Sequence, residues 1–288
     1  MSTVFSFPTF AQMYPHEKRF LKRLRESLRY IGRITLCYRQ VKMLEAFLNQ
    51  HPLWADLFNQ HLYRVNTLLY VYCDKNFSAQ QRLDAIIQHF VLAQQKLGTM
   101  FCKQLITQKS IVLSYLTENL ALKLNINDID PLEGFFSLNI QDNETGQSLY
   151  DASFTFLAPN QLLIASMQGP KGENAQDLVR AATKQLHGVR PMFMLVNAFK
   201  IFAQTLNCEL IGIPHKQQAK YRWNDSARLL FNYDEFWQEN QAQLAQYWQI
   251  PTEIERKPLE EIQSKKRSMY RKRYDMFDKV LLDIQSGY

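Results

Sequence analysis

Between residues 109 and 168 the spacing of apolar residues changes from the threes and fours of a helix to the alternation of a strand. No other feature restricts the fold as tightly. The runs EGFFSLNIQ (133–141), SLYDASFTFL (148–157) and LLIASMQG (162–169) are separated by DNETG and APNQ. The stretches Asn143–Gly146 and Pro159–Asn160 carry the residue types that turns demand, since glycine and asparagine tolerate positive φ and proline presets its own. Connections this short join antiparallel neighbours only. The three runs are therefore expected to form a β-meander, with SIVLSYL (110–116) as a strand before it.

Helical patterns flank this region on both sides. From His16 to Ile31, Phe20, Leu24, Leu28 and Ile31 recur at helical spacing, and Lys18, Arg19, Lys22, Arg23, Arg25 and Arg29 cover much of the rest. The apolar face is narrow, so core packing is expected in preference to a membrane surface. A second helix is expected from about Tyr38 to Gln50, and HPLWADLFN starts a third. The most regular helix spans 79–97, with Ser78 and Gln81 as a capping box and Gly98 closing it. After the meander come a GPKGEN loop, a helix Asn174–His187 and an apolar helix Pro191–Leu206. CELIGI (208–213) then reads as a buried strand, ARLLFNY (227–233) as a further strand, and YDEFWQEN as a short helix. A long helix ends the chain between Pro258 and Ile284, after the linker-like IPTEIERKP. The expected division is a helical region over 1–105, a mixed core over 106–250 and a C-terminal helix over 251–288 packed on that core.

This order gives an α+β fold. It resembles the N-acetyltransferase (GNAT-like) acyl-transferase fold, with LLIASMQGPKGENAQDLVRAATKQL as the cofactor strand, loop and helix and CELIGI as the next strand. Element order carries a likeness of fold and not a function.

Composition narrows the chemistry. The four cysteines are scattered without a CxxC pair, which fits neither a disulfide framework nor a zinc site, and no metal site is expected. At the N-terminus apolar residues precede the charges, the reverse of a secretory signal, and no run reaches the roughly 18–20 apolar residues of a membrane span. A cytoplasmic protein is expected. With 34 basic against 27 acidic residues the net charge is +7, compatible with nucleic acid, anionic lipid or a phosphorylated cofactor.

Four stretches concentrate polar chemistry. In TKQLHGVRP (183–191), Thr183, Lys184 and His187 share a helix face, Gly188 fits a left-handed helix end, and Pro191 fits the first turn of the next helix. A helix–helix corner explains Gly188 and Pro191 but not the company of Lys184, His187 and Arg190. The QGPKG loop (168–172) precedes a helix N-terminus, where backbone N–H groups favour a phosphate, though it is neither a Walker loop nor a GxGxxG. SKKRSMYRKRYDMFDK (264–279) interleaves Lys265, Lys266, Arg267, Arg271, Lys272 and Arg273 with Tyr270 and Tyr274. It suits either phosphate and base contacts or a solvated helix face. NYDEFW supplies Asp234 as a candidate acid or base.

LLIASMQGP, ATKQLHGVRP, YDEFW and SKKRSMYRKRY together resemble the VirK/YbjX family of Gram-negative bacteria, a domain of unknown function, over roughly residues 15–284. TKxxHGxRP with KKRxxYxxRY is specific in combination; the usual lysine after the proline is Met192 here. The resemblance implies association with virulence, resistance to cationic antimicrobial peptides and envelope or stress responses, and it implies no reaction.

The first expectation is an acyltransferase-like enzyme that takes acyl-CoA or an acyl carrier protein. Gln168, Gly169, Lys171 and Gly172 would hold phosphate, Lys184 and Arg190 a second anionic group, and His187 or Asp234 would move a proton. The alternative is a non-catalytic factor that binds nucleic acid or an anionic envelope precursor through its basic helices. A third reading lays the 17–33 helix on the inner membrane.

Overall fold

The computed structural model describes residues 4–15, 19–221 and 231–287. Helices α1 (Phe10–Met13), α2 (Phe20–Leu36), α3 (Tyr38–Gln50), α4 (Pro52–Gln60), α5 (Asn66–Leu69), α6 (Ala79–Leu97) and α7 (Thr99–Gln108) lead into the sheet. Helix α6 begins as its capping residues require: the Ser78 hydroxyl accepts the Gln81 N–H, and the Gln81 side chain accepts the Ser78 N–H. Gly98 then leaves the helix at φ 80°.

Five strands follow as one meander: β1 (Ser110–Tyr115), β2 (Leu120–Ile126), β3 (Phe136–Asp142), β4 (Ser148–Leu157) and β5 (Gln161–Gln168), each antiparallel to the next. The three expected strands are β3 to β5, and the expected strand before them is β1. Strand β2 adds to the expected set: in LALKLNI, Leu120, Leu122, Leu124 and Ile126 alternate with Ala121, Lys123 and Asn125 and are all buried.

Helices α8 (Ala175–Gln185) and α9 (Pro191–Thr205) carry the chain over to β6 (Glu209–Gly212), which runs parallel to β5. The pairing covers only the first half of β5, from Gln161↔Glu209 to Ile164↔Gly212. Beyond it, the Tyr233 hydroxyl accepts the Met167 N–H at 2.8 Å and donates to the Met167 carbonyl at 3.1 Å. A side chain thereby satisfies strand-edge groups that would otherwise be buried unpaired. Tyr233 opens α10 (Tyr233–Glu239), and β7 (Gln243–Leu244) and β8 (Trp248–Ile250) complete the sheet order β1-β2-β3-β4-β5-β6-β8-β7. The final helix is α11 (Ser264–Ser286).

The fold is therefore mixed α+β, with N-terminal helices, a mostly antiparallel eight-stranded sheet and a C-terminal helix. Helix α6 packs on β4, α9 on β3, β4 and β6, and α11 on α9 and β1. The main core runs from Phe5 to Ile284 and includes Trp54, Phe90, Phe136, Phe154 and Phe199. Helices, sheet and tail share it.

Three expectations change. His16–Lys18, at the start of the first expected helix, lie outside the described residues, as do 227–230 of the expected strand 227–233; its Tyr233 is helical. The helix expected to reach His187 ends at Gln185, because His187 and Gly188 both turn left-handed, at φ 52° and 80°. The apolar stripe of α2 does not pack into the core: Phe20, Leu24, Leu28 and Ile31 are exposed. Helix α2 is held instead by another face, where the buried Tyr30 donates to the Pro8 carbonyl at 2.6 Å and Arg33 lies 4.7 Å over the Tyr70 ring.

Candidate functional site

The corner between α8 and α9 is closed by backbone bonds: the Leu186 N–H donates to Ala182 O and the Gly188 N–H to Thr183 O, both at 2.8 Å. Arg190, extended at the N-cap of α9, and Pro191 at its first position start the next helix. Gly188 is required twice over. Its φ is left-handed, and a Cβ would sit 3.1 Å from Arg273 Nη2 and 3.3 Å from Met269 Sδ.

That proximity joins two of the sequence motifs. From α11, Arg273 donates Nη2 at 2.9 Å and Nε at 3.3 Å to the His187 carbonyl, 86 residues away, and its guanidinium lies 4.2 Å over the Tyr270 ring. Arg267 is engaged within its own turn, donating to the carbonyls of Ile262 and Glu260. Two arginines of the basic run therefore hold backbone, while Lys265 and Lys272 line a cavity at the corner.

Three cavities meet there. One of about 550 Å³ is lined by Arg180, Thr183, Lys184, His187, Gly188, Lys265, Ser268, Met269 and Lys272, with no acidic residue. A second, about 750 Å³, runs along α8 past Tyr150, Gly169, Pro170, Val179, Arg180 and Arg190. The third, about 510 Å³, is lined by Gly188, Arg190, Lys200, Lys257, Arg273 and Tyr274, with Glu239 and Glu255 on the same wall. Each pair of cavities shares one residue, Arg180, Gly188 or Arg190, so they adjoin as a depression along α8 and around its corner with α9. None of Lys184, Lys265, Lys272 and Arg190 forms an ion pair with a described carboxylate.

The electrostatics follow from this crowding. Burial, and then the charges of Lys272 and Arg273, hold the His187 imidazole below its ordinary value. It is neutral at pH 7 and free to accept a proton. Lys200 is buried, donates to Glu253 O at 3.3 Å, and is pushed down by burial against the opposing pull of Glu255.

Of the expected site residues, Lys184 and His187 line one cavity, and Gly169 and Arg190 line the adjoining one. Gln168 instead donates to Glu133 Oε2 at 2.9 Å. Lys171 and Gly172 are exposed and line none of the three cavities. Asp234 stands apart, where its Oδ1 accepts the His215 N–H at 2.9 Å and the Trp248 indole N–H at 2.8 Å. Among the described residues, no group of three or more His, Cys, Asp or Glu could hold a metal ion.

Sequence reasoning missed Arg180, although it lies three and four residues before Thr183 and Lys184, shares their helix face and lines the same cavity as His187. It also missed the buried Glu133, 3.5 Å from Lys220 Nζ, whose carboxyl burial raises against the attraction of Lys220. No local pattern announces that cluster, because Glu133, Gln168 and Lys220 meet only through the fold.

A family model described as a protein of unknown function (DUF535) matches residues 19–286. An uncharacterized protein of Haemophilus influenzae is 57% identical over 98% of this chain and 97% of its own. Membrane protein LapB of Mannheimia haemolytica is 31% identical over 76% of this chain and 96% of its own, and the uncharacterized protein YbjX of Escherichia coli is 26% identical over 73% and 67%. No solved structure matches significantly.

Proposed function

The chain belongs to the DUF535 family, that of the VirK/YbjX proteins, and from that premise we propose that it binds a phosphate-bearing molecule with an apolar arm in the depression around α8. One observation carries the reading: a cationic end without carboxylates (Arg180, Lys184, Lys265, Lys272) continues into a wall of Tyr150, Pro170 and Val179. Charge concentrated at one end and apolar surface at the other is the pattern of a phosphorylated acyl carrier or an anionic envelope precursor. The envelope and virulence setting that the family resemblance implies would agree with either.

The finer form of the proposal is acyl transfer. The parallel β5–β6 pair, joined through α8 and α9, supports the likeness to the acyltransferase fold. The two helices in that connection are a difference from a single cofactor helix. In this form the acceptor's hydroxyl or amine attacks the thioester carbonyl, the C–S bond breaks, and neutral His187 takes the acceptor's proton. The thiolate leaves and is protonated by solvent.

Calorimetric titration with CoA, a long-chain acyl-CoA and an acyl carrier protein tests the reading. The acyl-CoA is expected to bind most tightly, and Lys184→Ala with Lys272→Ala is expected to weaken it at least tenfold. Absence of binding to all three, or binding unchanged in the double variant, overturns the acyl-carrier reading. Salt-sensitive RNA or DNA binding that survives His187→Ala would favour the nucleic-acid alternative. The engagement of Arg267 and Arg273 with backbone carbonyls speaks against that alternative.

A further inference from the structure

Helix α2 carries an apolar stripe that is exposed among the described residues. Phe20, Leu21, Leu24, Leu28 and Ile31 fall within roughly 100° of its circumference at 100° per residue. Phe20 is 74% exposed, Leu21 78% and Leu28 62%, whereas large apolar side chains in soluble folds are ordinarily buried. The anchoring face is a different one, since Tyr30 and Arg33 hold α2 to Pro8 and Tyr70 from the side away from the stripe.

Charge on the same helix identifies the occupant. Helix α2 holds Lys22, Arg23, Arg25, Arg29 and Arg33 against the single acidic residue Glu26. At 100° per residue Arg25 lies about 40° beyond the Leu21 edge of the stripe and Arg29 about 80° beyond it, while Arg23 lies about 60° beyond the Phe20 edge. Arg25 and Arg29 both reach Glu26, at 3.2 and 2.9 Å, and remain more than half exposed. A second apolar protein face would match the stripe but not the excess of arginine over carboxylate on this helix. An anionic bilayer supplies both partners at once: hydrocarbon below the stripe, and phosphates at the height to which long basic side chains reach. No described helix is long and apolar enough to cross a membrane, so the geometry is that of a helix lying on one.

We propose that α2 is a membrane-surface helix that seats the protein on an anionic lipid bilayer through Phe20, Leu21, Leu24, Leu28 and Ile31, with Arg25 and Arg29 on lipid phosphates. This surface is separate from the depression around α8 and does not depend on it.

The test is co-sedimentation of the full chain with vesicles of equal parts phosphatidylglycerol and phosphatidylcholine, compared with phosphatidylcholine alone. The wild type is expected to partition at least tenfold better into the anionic vesicles and to dissociate as salt is raised. Leu24→Gln with Leu28→Gln is expected to lower partitioning at least tenfold, and Arg25→Gln with Arg29→Gln roughly tenfold. All four positions are exposed, and an unchanged melting curve confirms that each variant folds; Phe20→Ser with Leu21→Ser repeats the apolar test at the helix start. Failure of the wild type to bind anionic vesicles, or equal binding by the apolar variants, overturns the proposal. So does a wild-type dimer in light scattering that the apolar variants dissociate, which assigns the stripe to a second copy of the chain. Acyl-CoA titration of the same variants is expected to be unchanged, which separates this result from the reading of the α8 depression.

Discussion

Gly188→Ala probes the joint on which the candidate site depends, and its cost can be divided. At φ 80° an alanine pays about 1–2 kcal/mol for the left-handed region, offset by about 0.4–1 kcal/mol of lost unfolded-state freedom. The new Cβ would stand 3.1 Å from Arg273 Nη2 and 3.3 Å from Met269 Sδ, both ends of flexible side chains, so Arg273 gives way. Its two hydrogen bonds to the His187 carbonyl, at 2.9 and 3.3 Å, are charge-assisted, and weakening them adds about 1 kcal/mol. The sum is about 2 kcal/mol, a fall in Tm of roughly 3–4 °C for a chain of this size. Urea unfolding of Gly188→Ala, Arg273→Ala and the double variant separates the parts. In the Arg273→Ala background the glycine substitution is expected to cost only its backbone share, about 1 kcal/mol. An equal cost in both backgrounds, within about 0.5 kcal/mol, would refute the claim that Gly188 is there to admit Arg273.

Other consequences follow from the same geometry. His187 is held below its ordinary value, so an anionic ligand that neutralises Lys272 and Arg273 should raise it. Ligand binding should then take up protons and tighten as pH falls below 7, measurable by calorimetry in buffers of different ionisation enthalpy; proton release would contradict the site. His89 is fully buried among aromatic rings, accepts the Phe156 N–H on Nδ1 at 3.1 Å, and is pushed down to about 3 by burial. The unfolded chain takes that proton first, so stability is complete above pH 6.5 and is lost as pH falls toward the folded value. By pH 4.5 the loss is on the order of 2–3 kcal/mol, and His89→Asn should flatten the urea-midpoint profile between pH 7 and 4.5. An identical acid slope in that variant would assign the lability elsewhere. Tyr233→Phe leaves the Met167 N–H and carbonyl buried without their partner and should cost about 1–3 kcal/mol in urea unfolding. A change below about 0.5 kcal/mol would mean that water replaces the hydroxyl.

What was legible in the chain was local. The Ser78–Gln81 box, the turns around Gly146 and Pro159, and the Gly188–Pro191 corner all arise from backbone preferences within a few residues, which no distant neighbour has to supply. Strand β2 was legible in the same way, since Leu120, Leu122, Leu124 and Ile126 recur at every second position with Lys123 and Asn125 between them. Of the site, the face bearing Lys184 and His187 could be read from helical spacing, and Arg180 belonged to the same reading.

Local order also says nothing about what a face will meet. The period of α2 determined that Phe20, Leu24, Leu28 and Ile31 share a stripe, but only the anchoring of Tyr30 and Arg33 decided that the stripe points to solvent. The same holds for the basic run of α11. Its composition is identical whether it lies on nucleic acid or against the α8 corner, and docking of α11 on α9 turned Arg273 to the His187 carbonyl and Lys265 and Lys272 toward Lys184. Periodicity assigns residues to faces because it depends on backbone geometry alone. Which faces are covered depends on the competition of every apolar surface for one core, and that is settled only when the whole chain has packed.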